Sequence, residues 1–513
     1  MEDLRHELPE PLDVKAGSIL RHSEFGALRT KMARSLGFHV EGFAPLSPDV
    51  NDPETAMRGA THRFAREIPH VSRRIKRAFR NHVRRWLRRH MRPLDTGSDT
   101  SFDHWLENTS YPEWRKEELR QAQDNRPNFG NKSFRKREFY PVPKHSRWIN
   151  SRSDWFKCKT GPIFHLIEKE LFARKEFIKK VPVHLRSQYI HDNLFSPGCQ
   201  YLSTDHTAFE AHMDIKMMEI CEFQLYSYMV ACLPEGDEFL GIVKRGLLSK
   251  QRCSARGKFG WQYVETEARM SGDMCTSLGN GFTNLMVMSF IAHQKGWNEC
   301  RGVVEGDDGC FVVAGDVPTS QDFASVGFTI KSDISDNLGD AGFCQLYYTE
   351  GQYENLVDPI KVLLRIGWTM SQNMDAKDLS SLSVAKCMSC ICEAPANPIT
   401  THMARWILRS LKGVRPEMQH NDSEKWYYEQ VMKTSFDAAL KRSLAGPTLE
   451  QREFVAQKFS ISVPDQIEIE KYFDSLNGVQ PICSPVLSQY FDNWSSWSWN
   501  QSVERHLKGE AWR

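Results

Sequence analysis

A run of about eighteen apolar residues, the least that crosses a bilayer as a helix, is missing from the 513-residue chain, and Met1 to Leu20 lacks the basic-then-apolar order of a signal peptide. No transmembrane segment is expected. Internal repeats and long low-complexity segments are also absent, which removes solenoids and disordered arrays from consideration. The 13 cysteines are odd in number and scattered, so no disulfide framework is expected and free thiols in a reducing cytosolic setting are. Their one cluster, Cys387, Cys390 and Cys392, has no second Cys or His pair at ligand spacing, since His402 stands alone. Small residues packing a buried helix explain it better than zinc does. Net charge is low as well, at +2, with 40% hydrophobic and 26% charged residues, an ordinary globular composition long enough for several subdomains. That small charge hides an asymmetry. Ten of the twenty residues Arg73–Arg92 are Lys or Arg with no acid among them, leaving the rest of the chain at −8 and pointing to a polyanionic partner.

Within the basic block Val71, Ile75, Phe79, Val83 and Leu87 recur every fourth residue, while Arg73, Arg74, Arg77, Arg80, Arg84, Arg85 and Arg88 cover the remaining face. The pattern predicts an amphipathic helix ended by Pro93. An RNA-backbone contact, a membrane-surface element and a solvated helix capping the core compete for it. RNA contact is preferred, because charge this dense repels itself without an anionic partner. Residues 1–55 carry no motif. A short helix is expected over Glu113 to Ala122 and another over Ile163 to Phe177. Between them, Lys144, Arg147 and Arg152 interleave with β-formers, as cations do when extended strands line a channel for a triphosphate.

Three further stretches carry chemistry. Val303-Val304-Glu305-Gly306-Asp307-Asp308-Gly309-Cys310-Phe311-Val312-Val313 reads as a tight hairpin projecting two carboxylates. Upstream, Tyr201-Leu202-Ser203-Thr204-Asp205 is an extended run ending in an acid, with Glu210 five positions later. Between the two lies Ser271-Gly272-Asp273-Met274-Cys275-Thr276-Ser277-Leu278-Gly279-Asn280, a flexible turn followed by a helix with Thr276 and Asn280 on one face. In this order the motifs resemble the palm of an RNA-dependent RNA polymerase from a positive-strand RNA virus, most closely the tombusvirus-like and nodavirus-like group.

The resemblance implies an α+β, right-hand polymerase fold of fingers, palm and thumb, with an antiparallel palm sheet and a mostly helical thumb. Residues 1–95 would be an N-terminal extension carrying the basic helix, 96–200 the fingers, 201–350 the palm with a fingers insertion about 235–265, and 351–513 the thumb and tail. It implies template-directed RNA synthesis with primer-independent initiation. Asp205, Asp307 and Asp308 would hold two Mg2+ ions, for which Mn2+ can substitute, and Lys331 would protonate the departing pyrophosphate. Glu210, standing where Asp is usual, would read the ribose 2′-hydroxyl with Thr276 and Asn280, and Ser271-Gly272 would be the hinge of that loop. Lys144, Arg147 and Arg152 would meet the triphosphate, and Arg73, Arg77, Arg80, Arg84 and Arg88 would contact RNA. Expected partners are template and product RNA and ribonucleoside triphosphates, with other viral replication proteins or a host membrane surface as further ones. The expected place is the host cytoplasm, including membrane-associated replication sites. A reverse transcriptase and a catalytically silent RNA-binding scaffold remain as alternatives; Asn280 and the clustered acids argue against them.

Further along, one helix is expected over Ala211 to Leu233 and a helix and turn over Gly241 to Lys258, while Asn284 to His293 continues the helix begun near Thr276. Gly327 to Lys331 and Gly342 to Leu346 resemble the two remaining palm motifs. Mostly helix is expected after Tyr353. Trp494, Trp497, Trp499 and Trp512 fit thumb core better than a stacking platform.

Overall fold

The computed structural model describes residues 19–24, 33–48, 53–140, 144–257, 260–371, 374–416 and 433–491. The four C-terminal tryptophans lie outside these residues. At the centre is a four-stranded antiparallel sheet in the order Ile330–Ser335, Tyr201–His206, Asp308–Val312, Gly302–Glu305. Its strands alternate between two cores, as period-2 side chains must. Leu202, Val304 and Phe311 face the largest core, whereas Tyr201, Val303, Cys310 and Val312 face a smaller one with Ile178, Ile190 and Leu194. The three strands Tyr201–His206, Asp308–Val312 and Gly302–Glu305 are thus covered on both sides, whereas the edge strand is exposed from Lys331 to Ile334.

The helix Thr276–Gln294 packs on the hairpin strands and is buried along most of its length. Outside it lies the basic helix Arg73–His90, capped by Ser72, whose hydroxyl accepts from Ile75 N at 3.3 Å. Phe79, Val83 and Leu87 are buried, with Phe79 against Phe290 and Trp86 edge-on to Phe282. Each such side chain contributes about 1.5–3 kcal/mol. The arginines are left facing outward.

A second large core joins the C-terminal helices Pro359–Ile366, Ala376–Glu393, Thr400–Ser410, Leu449–Phe459 and Val463–Ser475. Leu36, Phe38, Val40 and Phe43 belong to it, and Arg34–Ser35 pairs with Trp368–Thr369. Strand Ile19–Glu24 meanwhile pairs with Gly260–Thr266. Of the residues expected to form an N-terminal extension, Ile19–Glu24 and several between Arg34 and Phe43 are therefore built into two other parts of the molecule. Hydrophobicity over so short and proline-rich a stretch has no periodicity to announce this.

Other local expectations need correction. Residues 211–233 are not one helix but the end of Phe209–His212, then Ile215–Ile220 and Glu222–Met229. Asp214 starts the second by accepting from Met217 N, and Cys221 breaks the third away at φ −115°, ψ −85°. The helix expected from Ile163 begins at Asp154, capped by Ser153, carries Pro162 inside and ends at Leu171. After the helix Gly236–Leu247 the chain forms strand Gln251–Gly257 rather than a turn. The helix Glu113–Ala122 and the predominantly helical C-terminal part are as expected. Cys387, Cys390 and Cys392 lie on one helix, the first and last buried and Cys390 half-buried. Among the described residues no helix is long and apolar enough to cross a membrane.

Candidate active site

Three segments meet at one end of the central sheet. Asp205 lies opposite Lys331 of the edge strand, and on its other side the neighbouring Thr204 faces Gly309. Asp308 begins the hairpin's second strand and pairs with Glu305, so Gly306 and Asp307 make the turn. Gly306 sits at φ +60°, which a side chain would resist. The helix below fixes the tip: Asn284 Nδ2 donates to the carbonyls of Asp307 and Asp308, both at 3.0 Å, and its Oδ1 lies 3.3 Å from His206 Nε2. Asp205, Asp308 and Lys331 line an open cleft of about 390 Å3 with Asp333, Phe343 and Cys344.

The electrostatics follow from this crowding. Burial, then the Asp307 and Asp205 carboxylates, push Asp308 up to about 7. Burial and Glu210 also raise Asp307, against a pull from Arg63. The Cys344 thiol stands beside Asp308 in the cleft and is kept protonated chiefly by its burial, with the Asp308 charge acting in the same direction, which assigns it a packing role rather than thiol chemistry. Oxygen donors that are partly buried and repel one another fit a hard divalent cation that keeps part of its water shell. Asp205, Asp307 and Asp308 are the residues that could hold it. No three acidic, His or Cys side chains among the described residues converge into a ready-made cage, so water and a substrate phosphate would complete the shell.

Glu210 is only 8% exposed, and its Oε1 accepts from Arg63 Nη1 at 2.8 Å. Burial acts to raise its pKa, but Arg63, the Ser271 hydroxyl and Arg147 together hold the carboxyl below its ordinary value. The turn beside it is tightly built. Gly272 has φ +112°, and a Cβ there would come within 2.8 Å of the Asn150 carbonyl. The Thr276 hydroxyl is engaged in holding the turn: its one proton is shared between the carbonyls of Asp273 at 2.7 Å and Met270 at 3.2 Å, and its oxygen accepts from Gly272 N at 3.3 Å. Asn280 is buried four residues on, and its Oδ1 has no partner among the described residues.

Of the three expected triphosphate cations, two remain near the cleft. Lys144 is lowered by desolvation and Arg147 and raised in turn by Asp205, so it stands within that carboxylate's field. Arg147 Nε lies 3.1 Å from Glu138, which Lys136 also engages. Arg152 is a correction. Only 3% exposed, it donates to Asp273 at 2.7 and 3.3 Å, to the Phe129 carbonyl and to Gln251, which commits four of its five N–H donors inside the protein. On the basic helix, Arg73, Arg77, Arg84 and Arg88 are exposed and Arg80 is half-buried; Arg84 Nε donates to Gln224.

Two residues at this site escaped the sequence reading. Asn284 had a usable signal, an amide in an otherwise apolar helix one turn after Asn280. Arg63 had none, being separated from Glu210 by 147 positions.

A family model for viral RNA-dependent RNA polymerase matches residues 205–478, just over half of the chain. None of the curated proteins compared matches it.

Proposed function

The chain belongs to the viral RNA-dependent RNA polymerases, and from that premise we propose that it extends RNA by metal-assisted nucleotidyl transfer at the Asp205, Asp307 and Asp308 cluster. The observation that carries this reading is the placement of Asp205, Asp307 and Asp308 at one end of the sheet, near enough for the first two carboxylates to help burial push Asp308 up to about 7. Asp205 and Asp307 would be shared ligands of two Mg2+ ions, with Asp308 serving the second. When bound, two such ions lower the pKa of the attacking 3′-hydroxyl and neutralise the leaving pyrophosphate.

The chain's own residues do the rest. Lys331, across the strand from Asp205, is the proton donor to the departing pyrophosphate. Lys144 and Arg147 meet the triphosphate, and Glu210 with Ser271, Gly272 and Asn280 surrounds the ribose. The central sheet is then the palm, residues 96–200 and about 235–265 the fingers, and the C-terminal helices the thumb. Initiation needs no primer. The test is incorporation of labelled ribonucleotides on a short RNA template with Mg2+, with and without primer, comparing the intact chain with Asp307→Ala. Loss of incorporation on substitution supports the reading; an intact chain that binds RNA but incorporates nothing returns the scaffold alternative.

Two expected outcomes belong here. Asn284→Ala frees the hairpin tip, and should lower stability by about 1–3 kcal/mol in thermal unfolding. It should slow incorporation by roughly 100-fold through misplacement of the Asp pair. Changing Arg73, Arg77 and Arg88, which are exposed on the basic helix, to Gln should leave unfolding nearly unchanged, weaken RNA binding by about tenfold or more at low salt, and flatten its salt dependence. Unaltered binding would return that face to the solvated-helix reading.

A further inference from the structure

We propose that Arg63 is a positioning residue for sugar selection, orienting Glu210 so that a ribonucleotide is preferred over its 2′-deoxy counterpart; this rests on the polymerase reading above. A glutamate reaches one methylene farther than an aspartate and has one more rotatable bond, so by itself it would not present a single geometry to a ribose. Arg63 removes that freedom. Its Nη1 holds Oε1 at 2.8 Å, and both side chains are 11% exposed, so the pair works largely out of water. Ser271 is close enough to the same carboxylate to help hold it ionised. The helix that begins at the end of the same turn carries Asn280, whose buried Oδ1 has no partner among the described residues.

Arg63 can act as a fixed point because its own segment is clamped. Thr61–Ala65 forms a single π-helical turn continuing the helix Pro53–Ala60. Phe64 is buried edge-on to Trp148 with ring centroids 6.2 Å apart, and its carbonyl accepts from Thr266 Oγ1 at 3.0 Å. His62 lies over His145 at 4.7 Å, and Trp148 Nε1 donates to the Ala56 carbonyl at 2.8 Å. The N-terminal turn is thus anchored on the strand and loop that carry Lys144 and Arg147. Triphosphate-facing cations and the sugar-facing acid are braced by one element.

The experiment measures single-nucleotide incorporation by the full chain with ribo- and 2′-deoxyribonucleoside triphosphates, for the unsubstituted protein, Arg63→Gln, Arg63→Lys, Glu210→Gln and the double variant Arg63→Gln/Glu210→Gln. Arg63→Gln should lower the ribo-to-deoxy ratio of kcat/KM by about tenfold, the size of one charge-assisted hydrogen bond. Arg63→Lys should recover part of that ratio. The double variant should discriminate no worse than Glu210→Gln, because Arg63 acts through the acid. An equal rise in KM for both sugars would mean that Arg63 touches the triphosphate and would overturn the proposal, as would an unchanged ratio or additive losses in the double variant. If Arg63→Gln does not fold, the Arg63→Lys ratio decides in the same way. An intact chain that incorporates nothing removes the polymerase reading itself, whereas an active chain with an unaltered Arg63→Gln ratio removes this inference alone.

Discussion

Asp205→Asn is expected to slow ribonucleotide incorporation by roughly 1,000-fold or more and, in EDTA at pH 8, to raise the unfolding temperature. The first effect follows from losing a ligand to ions that supply several kcal/mol of charge stabilisation in the transition state. The second follows from the geometry without metal. Asp205 lies in the strand beside the hairpin and raises both Asp307 and Asp308. Removing its charge relieves a repulsion worth about 1 kcal/mol. The pH dependence has a definite sign. Asp308 titrates at about 7 in the fold against 3.8 ordinarily, so its contribution to stability is present at low pH and is lost as pH rises through about 7. Buried His206 and His212, pushed down to about 3 and about 4 chiefly by desolvation, act oppositely: they cost stability as pH falls below about 6.5. A raw pH profile therefore mixes the two. The difference in unfolding temperature with and without Mg2+ separates them, since only the carboxylates respond to the ion. That difference should grow as pH rises through 7 in the intact chain and be much smaller in Asp205→Asn. Equal Mg2+ responses in the two proteins would rule out Asp205 as a ligand.

The parts of this arrangement legible in the sequence are those with local signatures. A Gly-Asp-Asp turn between two apolar β-branched runs announces its hairpin, and Asp205 at the end of such a run lands in the neighbouring strand. The fourth-residue stripe of the basic helix is equally plain, and Phe79, Val83 and Leu87 are buried as it requires. What was not legible is pairing over long separations. Arg63 gives no hint of Glu210, nor Leu36 and Phe38 of the C-terminal core, because the choice of partner is made by how whole elements pack. Thr276 is a subtler case. The sequence places it on the helix face, but a hydroxyl at a helix start competes for nearby carbonyls, and here its one proton is shared between two.

Arg152 gives the sharpest separation between the sequence reading and the structure. As a triphosphate contact, its loss would raise KM and leave folding alone. As placed, its guanidinium and the Asp273 carboxylate are each 1% exposed at 2.7 Å, so Arg152→Met should cost about 3–5 kcal/mol by stranding a buried charge. At a temperature where the variant stays folded, the KM for ribonucleotides should shift far less than the stability does. Arg152→Met/Asp273→Leu should regain a large part of the loss, since removing both charges removes the stranded one. A variant of unchanged stability with a raised KM would restore Arg152 to the triphosphate. The location of the pair explains why a buried ion pair is a reasonable device here. Asp273 belongs to the Ser271–Asn280 stretch and Arg152 to the strand whose Asn150 N donates to the Ser271 carbonyl at 2.6 Å. The charged pair and that hydrogen bond pin both sides of the turn to one strand, leaving the Ser271 hydroxyl free to reach Glu210.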